Sequence, residues 1–521
     1  MSSAPAPVSP PLPDLGSALM EPDFTAFASL YEEGVPQVVW TRLVADLETP
    51  VSAMLKIANE RPNSFLLESV EGGANRGRYS IIGCEPDLIW RAEGDKAELN
   101  RSPQSDPDAF APAPQPALQS IRALLAESKI VLPDALPPMA AGIFGYMGYN
   151  TVRLTESLPD GKPDNLGLPD SILVRPTLIV IFDSVKDELC VVTPVRPTPG
   201  VSAKAAYARA GERLNVILDR LDEPLPHKPE PIEDMPHPAP RAVTAPNAYM
   251  AKVARAKEYI SAGDIFQVVL SQRFEAPFEL PSFSLYRALR RVNPSPFLYY
   301  LNFGDFAVVG SSPEILVRVR KGEVTIRPIA GTRPRGSTPD EDQTLARELL
   351  ADAKECAEHL MLLDLGRNDV GRVAEVGSVR VTDSFFLEYY SQVMHIVSNV
   401  AGTLSPKHDA VDALMAGFPA GTVSGAPKVR AMEIIDELEE SARGIYAGCV
   451  GYFSADGEMD SCIVLRTSVV KDGIMYVQAG AGIVADSIPE NEQIECMNKA
   501  GALFKAADEA VRFAARAKRG Q

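Results

Sequence analysis

The chain has little of the residue types on which several kinds of site depend. Six cysteines and five histidines occur among 521 residues, and no spacing of the cysteines suggests a disulfide framework or a zinc site. Lysine and arginine number 51 against 69 aspartate and glutamate, a net charge of −18, so we expect neither nucleic-acid nor membrane-surface binding. No run of 18 apolar residues occurs, and the first 20 residues lack a basic, apolar leader, which predicts a cytoplasmic protein.

What remains is an ordinary globular composition, 45% hydrophobic, divided by proline-rich segments. The proline density of residues 222–246 rules out regular structure there and predicts a linker. Strand-like and helix-like segments occur on both sides of it, which favours an α/β protein. We predict four parts of the chain: a flexible Pro-rich tail (1–20), an N-terminal part (21–221), the linker (222–246) and a C-terminal part (247–521).

Helix signals are dense in the C-terminal part. Apolar spacing over residues 340–370 predicts one helix with Asp340 as its N-cap, and a second is predicted from Pro489 to Ala515. Ahead of that helix, Gly480 and Gly482 match GxGxxA, but the helix begins too late for a dinucleotide site. We therefore interpret these glycines as a loop that lets a ligand approach the backbone.

Two carboxylate pairs stand out on the predicted helices. Glu355 and Glu358 are three residues apart, as are Glu492 and Glu495, so each pair projects from one helix face. In a chain without clustered thiols or imidazoles, such pairs suit a hard cation such as Mg²⁺. From spacing alone, a solvated helix surface is the alternative.

Three further segments leave alternatives open. The segment 418–428, which ends in a predicted helix beginning at Pro427, is either an anion site with Ser424 as a cap or a plain turn. His395 lies in a β-branched run typical of a buried strand and is either a core residue or a catalyst. The basic, turn-rich segment 327–336 is suggestive of anion binding.

Seven segments, taken in order, resemble the chorismate-utilising enzymes, and within them the large aminating subunits that make anthranilate. The resemblance extends from about Phe24 to Lys518. The segments are DIFQVVLSQRF (264–274), NPSPFLYYL (293–301), GSSPEILVRV (310–319), IRPIAGTRPRG (326–336), DLGRNDVGRV (364–373), GTVSGAPKVRAMEIIDELE (421–439) and QAGAGIVADSIPENEQIECMNKA (478–500).

The resemblance implies an α/β (α+β) fold in which two β-sheets pack together with helices outside. It also implies that Glu358 and Glu495 bind Mg²⁺ directly, while Glu355 and Glu492 contact metal-bound water or tune the site. Tyr446 and Arg466 match the residues that hold the enolpyruvyl carboxylate of chorismate. The full set expected to bind substrate is Ala330, Gly331, Thr332, Tyr446, Arg466, Gly480, Ala481, Gly482 and Lys499.

Two positions distinguish between activities within the family. Relatives that add water to chorismate carry a lysine base where this chain has Gln267, which takes no proton at neutral pH. Relatives that form 4-amino-4-deoxychorismate carry lysine in PIKGT, where this chain has Ala330. Direct attack of ammonia and loss of pyruvate remain, with Glu314 as general acid, Thr422 as a site threonine, and His395 as a possible aid to proton removal.

The resemblance also implies partners and regulation. No cysteine has the context of a glutaminase nucleophile, so a separate glutamine amidotransferase subunit is expected to deliver ammonia. A tryptophan pocket for feedback inhibition is expected in the N-terminal part, with Glu68 binding the ammonium group. One alternative is an aminodeoxychorismate synthase component. Another is a catalytically silent tryptophan sensor, but the active-site glutamates that such a sensor would have lost are all present. The expected pocket residues are Leu67, Glu68, Ser69, Tyr79, Ser80, Pro294, Pro296, Phe297 and Leu298.

Overall fold

A computed structural model describes residues 20–58, 61–69, 77–159, 161–226, 237–390 and 393–516. Nearly all of the predicted tail, 1–20, and the middle of the predicted linker, 222–246, lie outside these ranges. Within them, the helices are α1 (Phe24–Glu32), α2 (Pro50–Ile57), α3 (Ala117–Ser128), α4 (Ala203–Asp222), α5 (Pro246–Ala262), α6 (Ser282–Val292), α7 (Pro339–Ala351), α8 (Ala353–Gly371), α9 (Ala410–Gly417), α10 (Lys428–Leu438) and α11 (Pro489–Arg516).

The strands of the same ranges alternate with these helices along the whole chain. They are β1 (Gln37–Val44), β2 (Ser64–Ser69), β3 (Tyr79–Glu93), β4 (Lys96–Asn100), β5 (Phe110–Pro112), β6 (Gly142–Met147), β7 (Ser171–Asp183), β8 (Glu188–Val195), β9 (Arg241–Ala242), β10 (Gln267–Pro277), β11 (Phe297–Asn302), β12 (Phe306–Ser312), β13 (Ile315–Arg320), β14 (Glu323–Ile326), β15 (Ile329–Pro334), β16 (Arg380–Tyr389), β17 (Val393–Thr403), β18 (Gly425–Ala426), β19 (Cys449–Ser454), β20 (Met459–Ile463), β21 (Thr467–Lys471) and β22 (Ile474–Ile483).

The strands form two antiparallel sheets that share two long members. One sheet runs β1, β8, β7, β3, β2, β11, β12, β21, β22, β10. The other runs β4, β3, β7, β6, β19, β20, β13, β14, β17, and β17 also pairs with β15 and β16. The 15-residue β3 and the 13-residue β7 take part in both, so one hydrogen-bonded network runs through both sheets.

Two apolar clusters hold these layers together. One consists of strand and loop side chains from both sheets, among them Phe144, Ile179, Tyr299 and Val450, and fills the space between the sheets. The other contains the buried faces of the helices and packs them against the outer sheet faces. This is the predicted two-sheet fold with helices outside, and the fold prediction is confirmed.

Both predicted parts of the chain, before and after the linker, contribute strands to the same sheets. Strand β2 of the N-terminal part pairs with β11 of the C-terminal part, and β6 pairs with β19. Side chains from the two parts of the chain therefore share one core. The boundaries at 221 and 247 stay a prediction about the chain, although α4 ends at Asp222 and α5 begins at Pro246.

One helix prediction is wrong in an instructive way. Residues 340–370 form two helices, because Asp352 has an extended backbone and its carboxylate accepts hydrogen bonds from the N–H groups of Lys354 and Glu355. The N-cap of the first is Thr338, two residues before Asp340. The second helix therefore begins just before Glu355, and the capping hydrogen bonds from Asp352 fix the position of its first turn.

Two other local predictions also need correction. Ser424 caps no helix: its hydroxyl donates to the carbonyl of Ala420 at 2.8 Å, and Pro427 occupies the N-cap position of α10. Gly480 and Gly482 lie inside β22, which continues to Ile483, so they belong to a strand instead of a loop. The long last helix was predicted to start at Pro489 and does so. No helix among the described ranges is both long and apolar enough to cross a membrane.

Candidate active site

The two glutamate pairs lie on α8 and α11 and face the same region. Gln267, the first residue of β10, donates from its side-chain nitrogen to Glu358 at 3.1 Å. Burial raises the pKa of Glu358, and the negative charges of Glu355 and Glu495 raise it further. The tertiary structure therefore gathers carboxylates that are more than 130 residues apart in the sequence.

Cationic side chains restrain two of these four glutamates, Glu355 and Glu495. Arg333 binds Glu355 at 3.0 Å, and Lys499 binds Glu495 at 2.7 Å. Across the described part of the chain, no three histidine, cysteine, aspartate or glutamate side chains meet in a ready metal-binding group. The donor set itself, four carboxylates with mutual repulsion, suits a hard divalent cation, so its chemistry fits Mg²⁺.

The glycines of β22 let side chains approach the strand closely. A Cβ built on Gly482 would stand 2.7 Å from the side-chain nitrogen of Gln267, and one on Gly480 would stand 2.8 Å from the hydroxyl of Tyr446. Lys499 donates to the carbonyl of Gly480 at 2.9 Å. The predicted substrate residues Tyr446, Gly480, Gly482 and Lys499 are thus brought together beside the carboxylates.

Glu314 is a buried carboxyl group with one side-chain donor in the part of the chain that the structure describes. The hydroxyl of Thr422 donates to both of its carboxyl oxygens, at 3.1 and 3.2 Å. Burial raises the pKa of Glu314 to about 8, and the Thr422 hydrogen bond lowers it only in part. At neutral pH the group therefore carries a proton that it can donate.

His395 lies on β17 and is turned toward the neighbouring β15. Its Nδ1 is 3.0 Å from the carbonyl oxygen of Gly331 and 3.1 Å from the hydroxyl of Thr332. A carbonyl only accepts, so Nδ1 carries the hydrogen and Nε2 keeps the free lone pair. Burial lowers the pKa of His395, which keeps the ring neutral at pH 7.

The backbone of β15 is shaped for this contact. Gly331 has φ of +69°, a conformation that favours glycine, and the register with β17 shifts between Ala330 and Thr332. A Cβ at Gly331 would also stand 3.2 Å from a carboxylate oxygen of Glu355. The predicted residues Ala330, Gly331 and Thr332 therefore connect His395 to the carboxylate group.

Arg466 is a cation held in a low-dielectric environment. Burial lowers the pKa of its guanidinium. Within the described ranges its guanidinium makes no ion pair, although its backbone carbonyl accepts from the N–H of Ser311 at 3.2 Å. The ring of Tyr390 contacts the ring of His395, with centroids 5.5 Å apart, and burial and the neighbouring Glu388 carboxylate raise the pKa of its hydroxyl. Tyr390 thus packs against the imidazole, and its hydroxyl donates to Glu388 at 2.8 Å.

A separate cavity of about 330 Å³ lies between the sheets. Its lining includes six of the nine residues predicted for tryptophan: Leu67, Glu68, Ser69, Tyr79, Phe297 and Leu298. Ser80, Pro294 and Pro296 are not part of the lining. Pro294 and Pro296 lie in the turn before β11, and Ser80 donates to Glu68 at 3.3 Å.

Strand alternation decides which of these side chains face the cavity. On β2, Leu67 belongs to the cluster between the sheets, whereas Leu66 belongs to the cluster under the helices. Glu68 shares the face of Leu66. Its carboxylate accepts from Arg290 at 2.7 and 3.1 Å and from the hydroxyl of Tyr286, both on α6. The Glu68 carboxylate is therefore engaged on the far side of the strand.

Sequence reasoning missed the opposite wall of the cavity. That wall consists of residues from the 3-10 helix Pro138–Ala140, which precedes β6, and from β13, β19 and β20, none near a motif quoted for the pocket. Only sheet pairing brings these segments together, and their alternating apolar pattern is the same as in any buried strand. The missed residues are Pro138, Met139, Arg318, Arg320, Val450, Gly451, Tyr452, Asp460, Ser461 and Cys462, together with Arg78 and Ile81 of the near wall and Tyr299.

The chain is similar to known proteins over most of its length. The model of the family of chorismate binding enzymes matches residues 65–505. An anthranilate synthase component 1 of Cereibacter sphaeroides is 56% identical over 95% of this chain and 99% of its own. The corresponding protein of Thermus thermophilus is 49% identical over 89% of this chain and 96% of its own.

Solved structures give the same result. The crystal structure of anthranilate synthase component I from Streptococcus pneumoniae matches with a TM-score of 0.71 and 36% identity, covering 89% of this chain and 98% of that one. The menaquinone-specific isochorismate synthase of Escherichia coli, 19% identical, shares the fold with a TM-score of 0.67, covering 93% and 99%.

The chain belongs to the family of chorismate-binding enzymes. Within that family, its relatives at 47–56% identity are anthranilate synthase component 1 proteins, and the alignments cover nearly their full length. The predicted membership of the aminating branch is confirmed.

Proposed function

We propose that the protein is the aminating subunit of an anthranilate synthase. It converts chorismate and ammonia into anthranilate, pyruvate and water. The observation that carries this proposal is the combination of a buried, protonated carboxyl group (Glu314), a neutral imidazole (His395) and a guanidinium without an ion pair among the described residues (Arg466) with the glutamate group.

Glu314 supplies the proton for the departing 4-hydroxyl group. A carboxyl group with a pKa of about 8 is protonated at neutral pH and is a stronger acid than water, which suits general acid catalysis. As ammonia attacks the ring carbon next to the one that bears the carboxylate, the C–O bond at position 4 breaks and the oxygen takes the Glu314 proton. Thr422 holds the carboxyl group in place during this step.

His395 is suited to removal of a proton in the aromatising step. Its Nδ1–H is fixed by the Gly331 carbonyl, so Nε2 is available as a base while the ring is neutral. Loss of the enolpyruvyl group as pyruvate then gives the aromatic amine. Gln267 takes no proton, which is consistent with ammonia and not water as the nucleophile.

Two anionic ends of chorismate need positive partners in an acidic protein. Arg466 offers a guanidinium without a carboxylate partner among the described residues, and Tyr446 lies near Glu495 and Gly480. We assign the enolpyruvyl carboxylate to Arg466 and Tyr446. The ring carboxylate is assigned to the backbone of Gly480 to Gly482 and to Mg²⁺.

Mg²⁺ is the proposed cofactor, held by Glu358 and Glu495, with Glu355 and Glu492 assisting. When bound, it neutralises the substrate carboxylate and polarises the ring. The protein's own contribution is to bring these carboxylates together and to restrain Glu355 and Glu495 with Arg333 and Lys499.

Ammonia is proposed to come from a separate glutamine amidotransferase subunit. A glutamine amidotransferase needs a reactive thiolate, but five of the six cysteines are buried, and burial raises the pKa of each. The sixth, Cys356, is partly buried and donates its S–H to the carbonyl of Leu350 at 3.4 Å. The relatives carry the name component 1, which implies a second component. With ammonium salts, the chain alone is expected to be active.

Tryptophan is the proposed inhibitor, and its binding site is the cavity between the sheets. The volume and the aromatic and aliphatic lining suit an indole. Strand β20 joins this cavity to the catalytic residues: Cys462 lines it, and the next residue, Ile463, donates its N–H to the carbonyl of Glu314 at 3.0 Å. A shift of β20 on binding would move the acid.

The test is fluorescence of anthranilate formed from chorismate, Mg²⁺ and an ammonium salt. We expect a rise that EDTA abolishes and tryptophan suppresses. Consumption of chorismate without anthranilate would instead indicate an aminodeoxychorismate-type activity. Tryptophan binding without chorismate consumption would indicate a silent sensor and refute the proposal.

A further inference from the structure

Asp460 is a carboxylate on the cavity face of β20 that the proposed catalytic function does not use. It is opposite Tyr452 in the pairing of β19 with β20, and Cys462, two residues further on the same face, also lines the cavity. Glu68, the other carboxylate of the lining, faces the helices. Asp460 is thus the carboxylate whose side chain shares a face with the aromatic wall.

The two oxygens of this carboxylate differ in their partners. Oδ2 accepts from Arg318 at 3.0 Å and from Arg320 at 3.3 Å. Oδ1 is buried and has no hydrogen-bond donor within the described part of the chain. A buried oxygen without a donor costs free energy that an incoming N–H group would recover.

The charge around Asp460 favours a neutral donor over a cation. Two guanidinium groups already surround the single carboxylate, and Glu458 offsets only part of that excess through its bond to Arg320 at 2.9 Å. An ammonium group placed here would meet two like charges. An indole N–H donates one hydrogen bond and carries no charge.

We propose that Oδ1 of Asp460 accepts the indole N–H of the bound inhibitor and is a specificity-determining contact of the regulatory cavity. This inference rests on the proposed tryptophan inhibition. It explains how a largely apolar cavity distinguishes tryptophan from aromatic ligands of similar shape that have no N–H group, because such ligands leave Oδ1 unpaired.

The test compares inhibition of the intact enzyme by tryptophan and by 3-(benzothiophen-3-yl)alanine, in which sulfur replaces the indole N–H. For the natural sequence, we expect tryptophan to inhibit at an at least tenfold lower concentration. In Asp460→Asn, the two arginines retain the amide oxygen and leave the amide NH₂ group at the position of Oδ1. The preference for tryptophan is then expected to fall to about onefold.

The matched control is Glu458→Gln, which removes a carboxylate from the same Arg320 but lies outside the cavity lining. Its preference ratio is expected to stay at that of the natural sequence. A fall in both variants would assign the effect to Arg320 and overturn the proposal. Ammonia-dependent anthranilate formation by each variant reports whether it folds, and Asp460→Ser is the second variant if Asp460→Asn does not.

Other results of the same inhibition measurements also test the proposal. Equal inhibition of the natural sequence by both compounds would overturn the contact, as would a preference that survives in Asp460→Asn. If Asp460→Asn instead removes the preference for tryptophan over indole-3-propionate, the carboxylate binds the ammonium group and the proposal is wrong. Anthranilate formation without any inhibition by tryptophan would refute the proposed regulation itself, a result distinct from all of these.

Discussion

The cavity between the sheets and the candidate active site are built on opposite principles. The cavity is lined largely by aromatic and aliphatic side chains of paired strands, with Arg318, Arg320 and Asp460 on one wall. The active site consists of charged groups from several helices and strands, and internal cations hold Glu355 and Glu495. Apolar packing can pre-form a binding site, whereas four carboxylates repel one another until a cation binds between them.

This contrast predicts that the two regions can be inactivated separately, and the largest effect is expected at the catalytic acid. Glu314→Gln keeps the shape of the side chain but removes its donated proton. The rate of anthranilate formation with ammonium is expected to fall by about 10²- to 10⁴-fold. Tryptophan binding, measured by calorimetry, should be unchanged. A rate within threefold of normal would exclude Glu314 as the acid.

The next effect concerns Arg466, the active-site cation that has no ion pair among the described residues. Arg466→Met removes the charge but keeps much of the apolar length. Because a carboxylate of chorismate would lose its partner, we expect KM for chorismate to rise by about tenfold to a hundredfold. Steady-state kinetics at saturating ammonium measure this. An unchanged KM together with a lower kcat would place the enolpyruvyl carboxylate elsewhere.

A substitution in the cavity wall is expected to change inhibition by tryptophan and to leave catalysis nearly unchanged. Met139→Trp places a larger side chain in the cavity wall and fills part of the space for an indole. Inhibition by tryptophan should weaken by about tenfold or more, while the rate without tryptophan stays within a few fold. If the inhibition constant does not change, the inhibitor binds outside this cavity.

The smallest effect is a shift in pH dependence. Protonated Glu314 predominates below its pKa of about 8 and is lost above it, so kcat should fall on the alkaline side with a midpoint near 8. The Thr422 hydroxyl stabilises the ionised form. Thr422→Val should therefore move the midpoint to higher pH, by less than one unit. A shift to lower pH in the kcat profile would contradict this origin of the pKa.

Several elements were predictable from the sequence because local patterns determine them. The last helix begins at Pro489 as predicted, and the run around His395 is a strand. The break at Asp352 was not predicted, since an aspartate within an amphipathic run is equally compatible with a continuous helix. The capping hydrogen bonds that end one helix and begin the next depend on the observed backbone turn.

Within the active site, residue types were predictable and their protonation was not. The glutamates, Arg466 and His395 could be selected from motifs and a family resemblance. The raised pKa of Glu314 and the lowered pKa of His395 come from burial, which depends on the whole packed sheet. The orientation of His395 depends on the turn at Gly331.

The sequence by itself determined the fold class, the family and the carboxylates available for a cation, because these follow from periodicity, composition and short motifs. Tertiary structure alone decided which side chains share a face and which atoms are without partners. Glu68 illustrates this: the motif selected it for the inhibitor, but strand alternation directs its carboxylate to Arg290. Asp460, more than 390 residues away in the sequence, reaches the cavity face through sheet pairing.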